Sequence, residues 1–266
     1  MSATISSDLL STRFAALRAA GRRALVPYVT AGHPDPARSV ALLQALAEAG
    51  ADAIEVGVPF SDPMADGPVI QASSQVALEH GVNFDRTLEI IREASVGVPV
   101  VLFGYLNPFI AAGPDALVRA ADAGAHGALV TDLPVGADPA RERWFGESPL
   151  AFVRLVAPTT PELRMAEIAT HGSGFVYLIS RLGVTGTRDD LPPQLDATIS
   201  RLRRATALPI CVGFGISRPE QAATVARLAD GVIVGSAVVR AAGESVESAA
   251  SLIRAMRSAI DEATAT

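Results

Sequence analysis

The chain contains eight short apolar runs that alternate with longer segments of helical periodicity. The runs are rich in Val, Ile and Leu and are bounded by Gly, Pro or Asp, which is typical of buried strands. They lie at residues 25–29, 53–57, 98–103, 127–131, 151–155, 174–179, 209–213 and 231–235. Segments with the apolar spacing of amphipathic helices lie at 37–49, 85–94, 115–123, 161–170 and 219–228. A strand followed by a helix, repeated along the chain, predicts a parallel sheet covered by helices.

The sheet is predicted to close on itself. The runs are mainly apolar, as expected for strands buried on both faces, and no linker-like stretch divides the chain. These features favour a closed (β/α)8 TIM barrel over an open doubly wound sheet, which stays the alternative. We therefore expect residues 1–266 to form a single α/β domain. The segments 9–22 and 246–262 are predicted as additional helices, and the first is expected to close the lower end of the barrel.

Composition excludes several classes of function. The chain has 28 acidic and 22 basic residues and no basic stripe, so nucleic acid is not an expected partner. All the basic residues are Arg, which excludes a Schiff-base lysine and a P-loop lysine. The single Cys211 and the scattered histidines predict neither a disulfide nor a metal site. Without a long apolar segment or a signal-like start, we expect a cytoplasmic protein with no membrane association.

Three carboxylates lie at the end of the second run and in the segment that follows it. In barrels of this kind the active site lies at the carboxyl ends of the strands. Glu55 lies within an apolar run, where burial raises the pKa of a carboxyl group and suits it to general acid or base catalysis. Asp62 and Asp66 follow in a loop rich in Pro and Gly. The alternatives are a structural Glu55 hydrogen-bonded to a neighbouring strand, and aspartates that only stabilise turns.

Glycine-rich segments follow the last three runs, at 183–186, 213–217 and 235–236. Backbone amides in such loops, together with a helix N-terminus after the eighth strand, form a cradle for a phosphate group. Ordinary turn glycines are the alternative. Bulky side chains at or near strand ends are candidates for the wall of an apolar substrate site or for simple core packing: Tyr28, Phe103, Tyr105, Leu129, Tyr177 and Phe214.

Taken together, the motifs resemble those of the tryptophan synthase alpha subunit family. In chain order they are PYVTAGHP (27–34), EVGVPFSDPMADGPVIQ (55–71), YLNP (105–108), DLP (132–134), APTTP (157–161), YLISRLGVTG (177–186), GFGIS (213–217) and GS (235–236). The stretch 55–71 is the most specific of them. Three positions depart from the family pattern: His33, Gly104 and Leu182 stand where an Asp, a Met and a small residue are frequent.

The resemblance implies a TIM barrel that cleaves indole-3-glycerol phosphate to indole and glyceraldehyde 3-phosphate by a retro-aldol reaction, without a metal or a Lys. It implies catalytic roles for Glu55, Asp66 and Tyr177. The residues implied to bind substrate are Tyr28, Phe103, Leu129 and Phe214 at the indole ring, Thr185 in a lid, and Gly186, Gly215, Gly235 and Ser236 at the phosphate.

The resemblance also implies a partner. Asp62 falls in a loop that faces a beta subunit in an α2β2 heterotetramer. Pyridoxal phosphate is expected only in that beta subunit, with no cofactor in this chain. Three other functions stay open on sequence alone. They are another phosphate-binding barrel isomerase, a barrel that only activates a synthase partner, and a free-standing lyase with the same chemistry.

Overall fold

The computed structural model describes residues 6–179, 194–213 and 215–265, with side chains from residue 9 onward. Within them, eight parallel strands pair in chain order and close into a barrel. The strands are β1 Ala24–Thr30, β2 Ile54–Gly57, β3 Val100–Gly104, β4 Gly127–Val130, β5 Ala151–Val156, β6 Val176–Ile179, β7 Ile210–Gly213 and β8 Gly231–Val234. Each of the eight predicted runs is confirmed as a strand, and pairing of β8 with β1 makes the barrel closed rather than an open sheet.

Helices cover the barrel. They are α1 Ser6–Ala19, α2 Pro36–Glu48, α3 Pro68–Glu79, α4 Phe84–Ala94, α5 Leu106–Ala111, α6 Ala116–Asp122, α7 Pro139–Gly146, α8 Glu162–Thr170, α9 Leu195–Ala205, α10 Pro219–Ala226, α11 Ser236–Glu244 and α12 Val246–Thr264. The predicted helical segments correspond to α1, α2, α4, α6, α8, α10 and α12. Helices α3, α5, α7 and α9 were not predicted, and for α11 only the helix start after the eighth strand was predicted. Several of these helices are shorter than three helical turns.

The buried apolar side chains form two clusters. The larger cluster includes Leu25, Leu102 and Leu178 and lies between the strands and the helices. The smaller cluster fills the barrel interior and includes Val101, Leu129 and Val153. Because alternate residues of a strand point to opposite faces, each strand supplies both clusters.

Helix α1 closes the amino-terminal end of the barrel, as predicted. Leu10 is fully buried, and its Cδ2 atom lies so near Gly174 that a Cβ there would be only 2.7 Å away. The ring of Phe14 packs against Phe175, with 5.4 Å between centroids. Buried Asp52 accepts hydrogen bonds from Arg13 at 2.7 Å and from Arg257 at 3.0 Å, which joins α1 and α12 to this end. With this end closed, the carboxyl ends of the strands form the accessible face.

Candidate active site

Glu55 lies in β2 with its side chain buried in the barrel. The residue is 1% exposed, and its Oε1 atom has no hydrogen-bond partner within the described part of the chain. Burial raises the pKa of Glu55 to about 8, because water no longer stabilises the carboxylate. Glu55 is therefore mainly a neutral carboxylic acid at pH 7, with one oxygen free for a ligand. The structural alternative, a carboxyl group tied to a neighbouring strand, is not supported by these contacts.

Asp66 lies in the loop between β2 and α3, and it is 4% exposed. Its backbone N–H donates to the Pro63 carbonyl at 3.0 Å, and its own carbonyl accepts from Gln71 Nε2 at 2.9 Å. The Tyr105 hydroxyl donates to Asp66 Oδ2 at 2.9 Å. Burial raises the pKa of Asp66 to about 6, while the Tyr105 hydrogen bond opposes this shift. Asp66 is therefore mainly ionised at pH 7.

The two buried carboxyl groups differ in charge at neutral pH. Glu55 holds its proton and Asp66 does not, because the two pKa values fall on opposite sides of pH 7. A pair of titratable groups separated in this way supplies a proton donor and a fixed negative charge in one site. Such a pair is suited to a reaction that protonates a substrate and stabilises the cation that forms.

Two tyrosines approach the same interior space. Their hydroxyl groups lie over glycines of neighbouring strands: a Cβ atom on Gly57 would be 2.1 Å from the Tyr28 hydroxyl, and one on Gly213 would be 2.1 Å from the Tyr177 hydroxyl. Only glycine permits this close approach. Burial raises the pKa of both phenols, and the negative charges of Glu55 and Asp66 raise that of Tyr177 further. Both tyrosines are therefore neutral.

A chain of hydroxyl groups orients Tyr28. The Ser73 hydroxyl donates to the Ile70 carbonyl at 2.8 Å, so it must accept the proton of Thr30, 2.7 Å away. Thr30 in turn accepts from the Tyr28 hydroxyl at 3.3 Å. Each hydroxyl has one proton, which fixes the direction of all three bonds. Sequence reasoning did not find Thr30 and Ser73, because no pattern marks a contact between residues 43 positions apart.

Apolar side chains form one wall of the space. Phe103 packs edge-on against Tyr28, with 5.3 Å between ring centroids. Leu129 is the parallel partner of Phe103 in the β3–β4 register, and both are buried in the interior cluster. The structure thus brings together three of the four residues expected at the indole ring. The fourth, Phe214, lies outside the described residues.

Three of the four candidate phosphate residues, Gly215, Gly235 and Ser236, follow two adjacent strands. Strands β7 and β8 pair in parallel, so the loops after them are neighbours. Gly235 is the N-cap of α11 and Ser236 is its first residue, which confirms the predicted helix start after the eighth strand. Gly215 has a φ of 83°, a conformation that favours glycine. Thr185 and Gly186 lie outside the described residues.

Two of the three residues that depart from the family pattern, His33 and Gly104, lie within the described residues. Burial lowers the pKa of His33, which favours its neutral form. A Cβ atom on Gly104 would lie 3.2 Å from Phe109 Cε2, so a side chain here would require the Phe109 ring to move by a few tenths of an ångström. Leu182, the third departure, lies outside the described residues.

The loop that carries Asp66 also forms an exposed surface. Asp62 is exposed, and the neighbouring Met64 is 82% exposed, which is unusual for a large apolar side chain. A groove of about 650 Å³ lies beside them. It is lined by Phe60, Ser61, Asp62, Pro63, Met64, Pro68, Gln71, Ala72 and Gln75. The loop therefore has one buried aspartate and one exposed aspartate, four residues apart.

Within the described part of the chain, no group of three or more His, Cys, Asp or Glu residues is arranged to hold a metal ion. No helix within 6–179, 194–213 and 215–265 has the length and apolar character needed to cross a membrane. Cys211 is a buried free thiol inside the barrel.

The closed parallel barrel defines the (β/α)8-barrel class of enzyme, and its two buried carboxyl groups, one in β2 and one in the loop that follows, are suited to acid–base chemistry. Residues 14–265 match the family model of the tryptophan synthase alpha chain. The chain is 46% identical to the tryptophan synthase alpha chain of Gluconacetobacter diazotrophicus over 242 residues, which cover 90% of this chain and 88% of that relative. It is 43% identical to that of Caulobacter vibrioides, with coverage of 93% and 90%.

Solved structures give the same result. The tryptophan synthase subunit alpha of Legionella pneumophila aligns with a TM-score of 0.86 at 37% identity, covering 95% of this chain and 98% of that one. A chain of Mycobacterium tuberculosis tryptophan synthase aligns with a TM-score of 0.88 at 37% identity, with coverage of 94% and 97%. The chain belongs to the tryptophan synthase alpha chain family. It is a lyase of tryptophan biosynthesis that acts on indole-3-glycerol phosphate and needs no cofactor of its own.

Proposed function

We propose that Glu55 is the proton carrier and Asp66 the electrostatic partner in cleavage of indole-3-glycerol phosphate. The observation that supports this most directly is the pair of buried carboxyl groups with pKa values of about 8 and about 6. Between these values Glu55 is protonated and Asp66 is ionised, as the first step requires. The apolar wall beside them suits an indole ring.

The reaction begins with proton transfer from the Glu55 carboxylic acid to C3 of the indole ring. The ring becomes a cation with positive charge at N1, and the Asp66 carboxylate accepts a hydrogen bond from N1–H and stabilises that charge. The Glu55 carboxylate then removes the proton of the hydroxyl on the carbon bonded to C3. The oxygen electrons form a carbonyl, the C–C bond breaks, and its electrons neutralise the ring. Indole and glyceraldehyde 3-phosphate leave, and Glu55 is protonated again.

The remaining residues bind the substrate in this proposal. Phe103, Leu129 and Phe214, with the Tyr28 ring, pack against the indole, and Tyr177 contacts the glycerol chain near Glu55. The phosphate is assigned to backbone amides of Gly186, Gly215, Gly235 and Ser236, with Thr185 in a lid. The half-buried start of α11 supports the assignment of Gly235 and Ser236, since a helix N-terminus attracts anions.

The direct test is indole release by the purified chain. We expect Glu55→Gln to lose activity by about a hundredfold or more, the usual cost of removing an acid–base group. Glu79→Gln is the matched control, because Glu79 is an exposed glutamate on α3 whose contact is with Gln75. Retention of more than about a tenth of wild-type turnover in Glu55→Gln would refute the assignment of Glu55.

We further propose that the groove beside Asp62 binds a tryptophan synthase beta subunit in an α2β2 assembly. The loop supports this, because hydrogen-bonded turns connect the exposed Asp62 to the buried Asp66: Met64 N–H donates to the Asp62 carbonyl at 2.9 Å, and Asp66 N–H to that of Pro63. A partner that contacts Asp62 is thus placed to affect Asp66. Docking that favours the reactive loop conformation is expected to raise turnover about five- to 150-fold.

The partner proposal is tested by indole release with and without excess beta subunit. Met64→Ala is expected to weaken the activation while leaving turnover of the isolated chain unchanged. Leu163→Ala is the control, since Leu163 is 89% exposed but lies on α8, outside the groove. Equal turnover with and without beta subunit, and no complex in sedimentation, would identify a free-standing lyase instead.

We also propose that residues 1–266 form one domain, because α1 packs on β4 and β5 and α12 packs on α10, α11 and α2 around the barrel. The cytoplasmic location stays a prediction from the sequence.

A further inference from the structure

The Tyr105 hydroxyl lies between two residues of the loop that carries Asp66. It accepts a hydrogen bond from the Ala65 backbone N–H at 2.9 Å, and it contacts Asp66 Oδ2 at 2.9 Å. A backbone amide can only donate, and the phenol has a single proton, so that proton goes to the carboxylate. Tyr105 therefore binds the loop through one acceptor contact and one donor contact.

The position of Tyr105 is itself fixed by its surroundings. The residue is buried at the carboxyl end of β3, and its ring packs against Phe60 with 5.2 Å between centroids. The next residue, Leu106, donates its backbone N–H to Asp132 Oδ1 at 2.7 Å, which anchors the start of α5. A rigid donor held in this way aligns its acceptor without losing further conformational freedom.

We propose that Tyr105 is a positioning residue that holds Asp66 as an oriented carboxylate at neutral pH. The inference deepens the proposed function, because it rests on the role of Asp66 in the reaction. A hydrogen bond to the charged form of an acid favours that form. Burial acts in the opposite direction and raises the pKa of Asp66. Tyr105 limits that rise.

The other groups near Asp66 do not supply the same effect. The groups that interact with it electrostatically are Tyr28 on β1 and Tyr177 on β6, and both phenols stay neutral because burial raises their pKa. Glu55 on β2 is an acid that faces the same interior. Within the described residues, no Arg or His forms an ion pair with Asp66. Its ionisation there depends on the Tyr105 hydrogen bond.

The test is the pKa of Asp66 measured by carboxyl ¹³C NMR in the intact chain with Tyr105→Phe. The variant keeps the ring and removes only the hydroxyl. We expect the pKa of Asp66 to rise by about one to two units, the effect of losing one hydrogen bond to a charged group. Tyr28→Phe is the control, since the Tyr28 hydroxyl bonds Thr30 and not Asp66. Because the Tyr28 phenol is neutral and makes no hydrogen bond to Asp66, this variant should shift the pKa of Asp66 much less than Tyr105→Phe does.

A second variant moves the pKa in the other direction. Site-specific incorporation of 3-fluorotyrosine at position 105 gives a more acidic phenol, which donates a stronger hydrogen bond, so the pKa of Asp66 should fall. An unchanged pKa of Asp66 in both variants would overturn the inference. This readout does not depend on turnover and so separates the inference from the proposed function. The pH dependence of kcat/KM for indole release is the second readout. If the pKa of Asp66 shifts but the acidic side of that pH profile does not shift with it, the result supports the role of Tyr105 and refutes the role of Asp66.

Discussion

Replacing Glu55 by Gln should stabilise the protein while it removes activity. The wild-type carboxyl group is buried and has a raised pKa, so the folded state binds its proton more tightly than the unfolded state does. Between the two pKa values the folded state holds more protons, and stability therefore decreases as pH rises. Gln has a similar shape and does not titrate. The variant is therefore free of this pH-dependent loss.

The size of the effect follows from the shift itself. The pKa of Glu55 rises from 4.5 to about 8 on folding. At pH 7 the wild type has lost about 3 kcal/mol of unfolding free energy relative to acidic pH, at roughly 1.4 kcal/mol per pH unit above 4.5. The difference between Glu55→Gln and wild type should grow by about 2 kcal/mol from about pH 5.5 to 7. Above about pH 8 it should level off.

Urea unfolding followed by circular dichroism at several pH values measures this difference. Other titrating groups, including Asp66, are common to both proteins and largely cancel. Glu79→Gln provides the baseline for the same replacement at an exposed position of α3. A difference between Glu55→Gln and wild type that is independent of pH would contradict this prediction, because Glu55 would then have an ordinary pKa in the folded protein.

Three further predictions address other parts of the structure. Asp66→Asn should lower kcat about a hundred- to a thousandfold with little change in KM, as steady-state kinetics will show; a raised KM with unchanged kcat would make Asp66 a binding residue. Gly235→Ala should fold normally, because the added Cβ has no neighbour closer than 3.8 Å. It should weaken glyceraldehyde 3-phosphate binding more than about tenfold in calorimetry, whereas the control Gly97→Ala, whose Cβ has nothing within 4 Å, should leave binding unchanged. Asp52→Ala should cost about 1–3 kcal/mol of stability in urea unfolding, since the buried Leu25 N–H loses its acceptor and Arg257 loses one of its two carboxylate partners, while Asp261 still pairs with Arg257; a loss under about 0.5 kcal/mol would contradict this.

The eight strands, and the burial of Glu55 within one of them, could be predicted from the sequence for the same reason. Strands buried on both faces read as continuous apolar runs, so all eight stood out, and a carboxylate inside one of them stood out in turn. The chemistry of the two loop aspartates was not predictable in this way. Asp62 and Asp66 are the same residue type in one loop, and only the fold shows that one is exposed and the other buried. The family resemblance separated them where the local pattern did not.

Contacts between residues that are far apart in the chain could not be predicted from the sequence. The Tyr105 bond to Asp66 joins residues 39 positions apart, and no periodicity or turn signal encodes that distance. Tyr105 was predicted only as a wall or core aromatic, because its ring gives that signal while its hydroxyl gives none. The short helix α5 was missed for a related reason, since six residues are too few to establish a helical period.

The pH dependence of kcat/KM for indole release is the sharpest test of the protonation states assigned to Glu55 and Asp66. The profile reports the groups of the free enzyme that must hold or lack a proton. We expect a bell-shaped profile with an acid limb near pH 6, where Asp66 loses its proton, and an alkaline limb near pH 8, where Glu55 loses its own. A rate that is flat across this range, or that continues to rise above about pH 9, would contradict the assignment of a protonated Glu55 and an ionised Asp66.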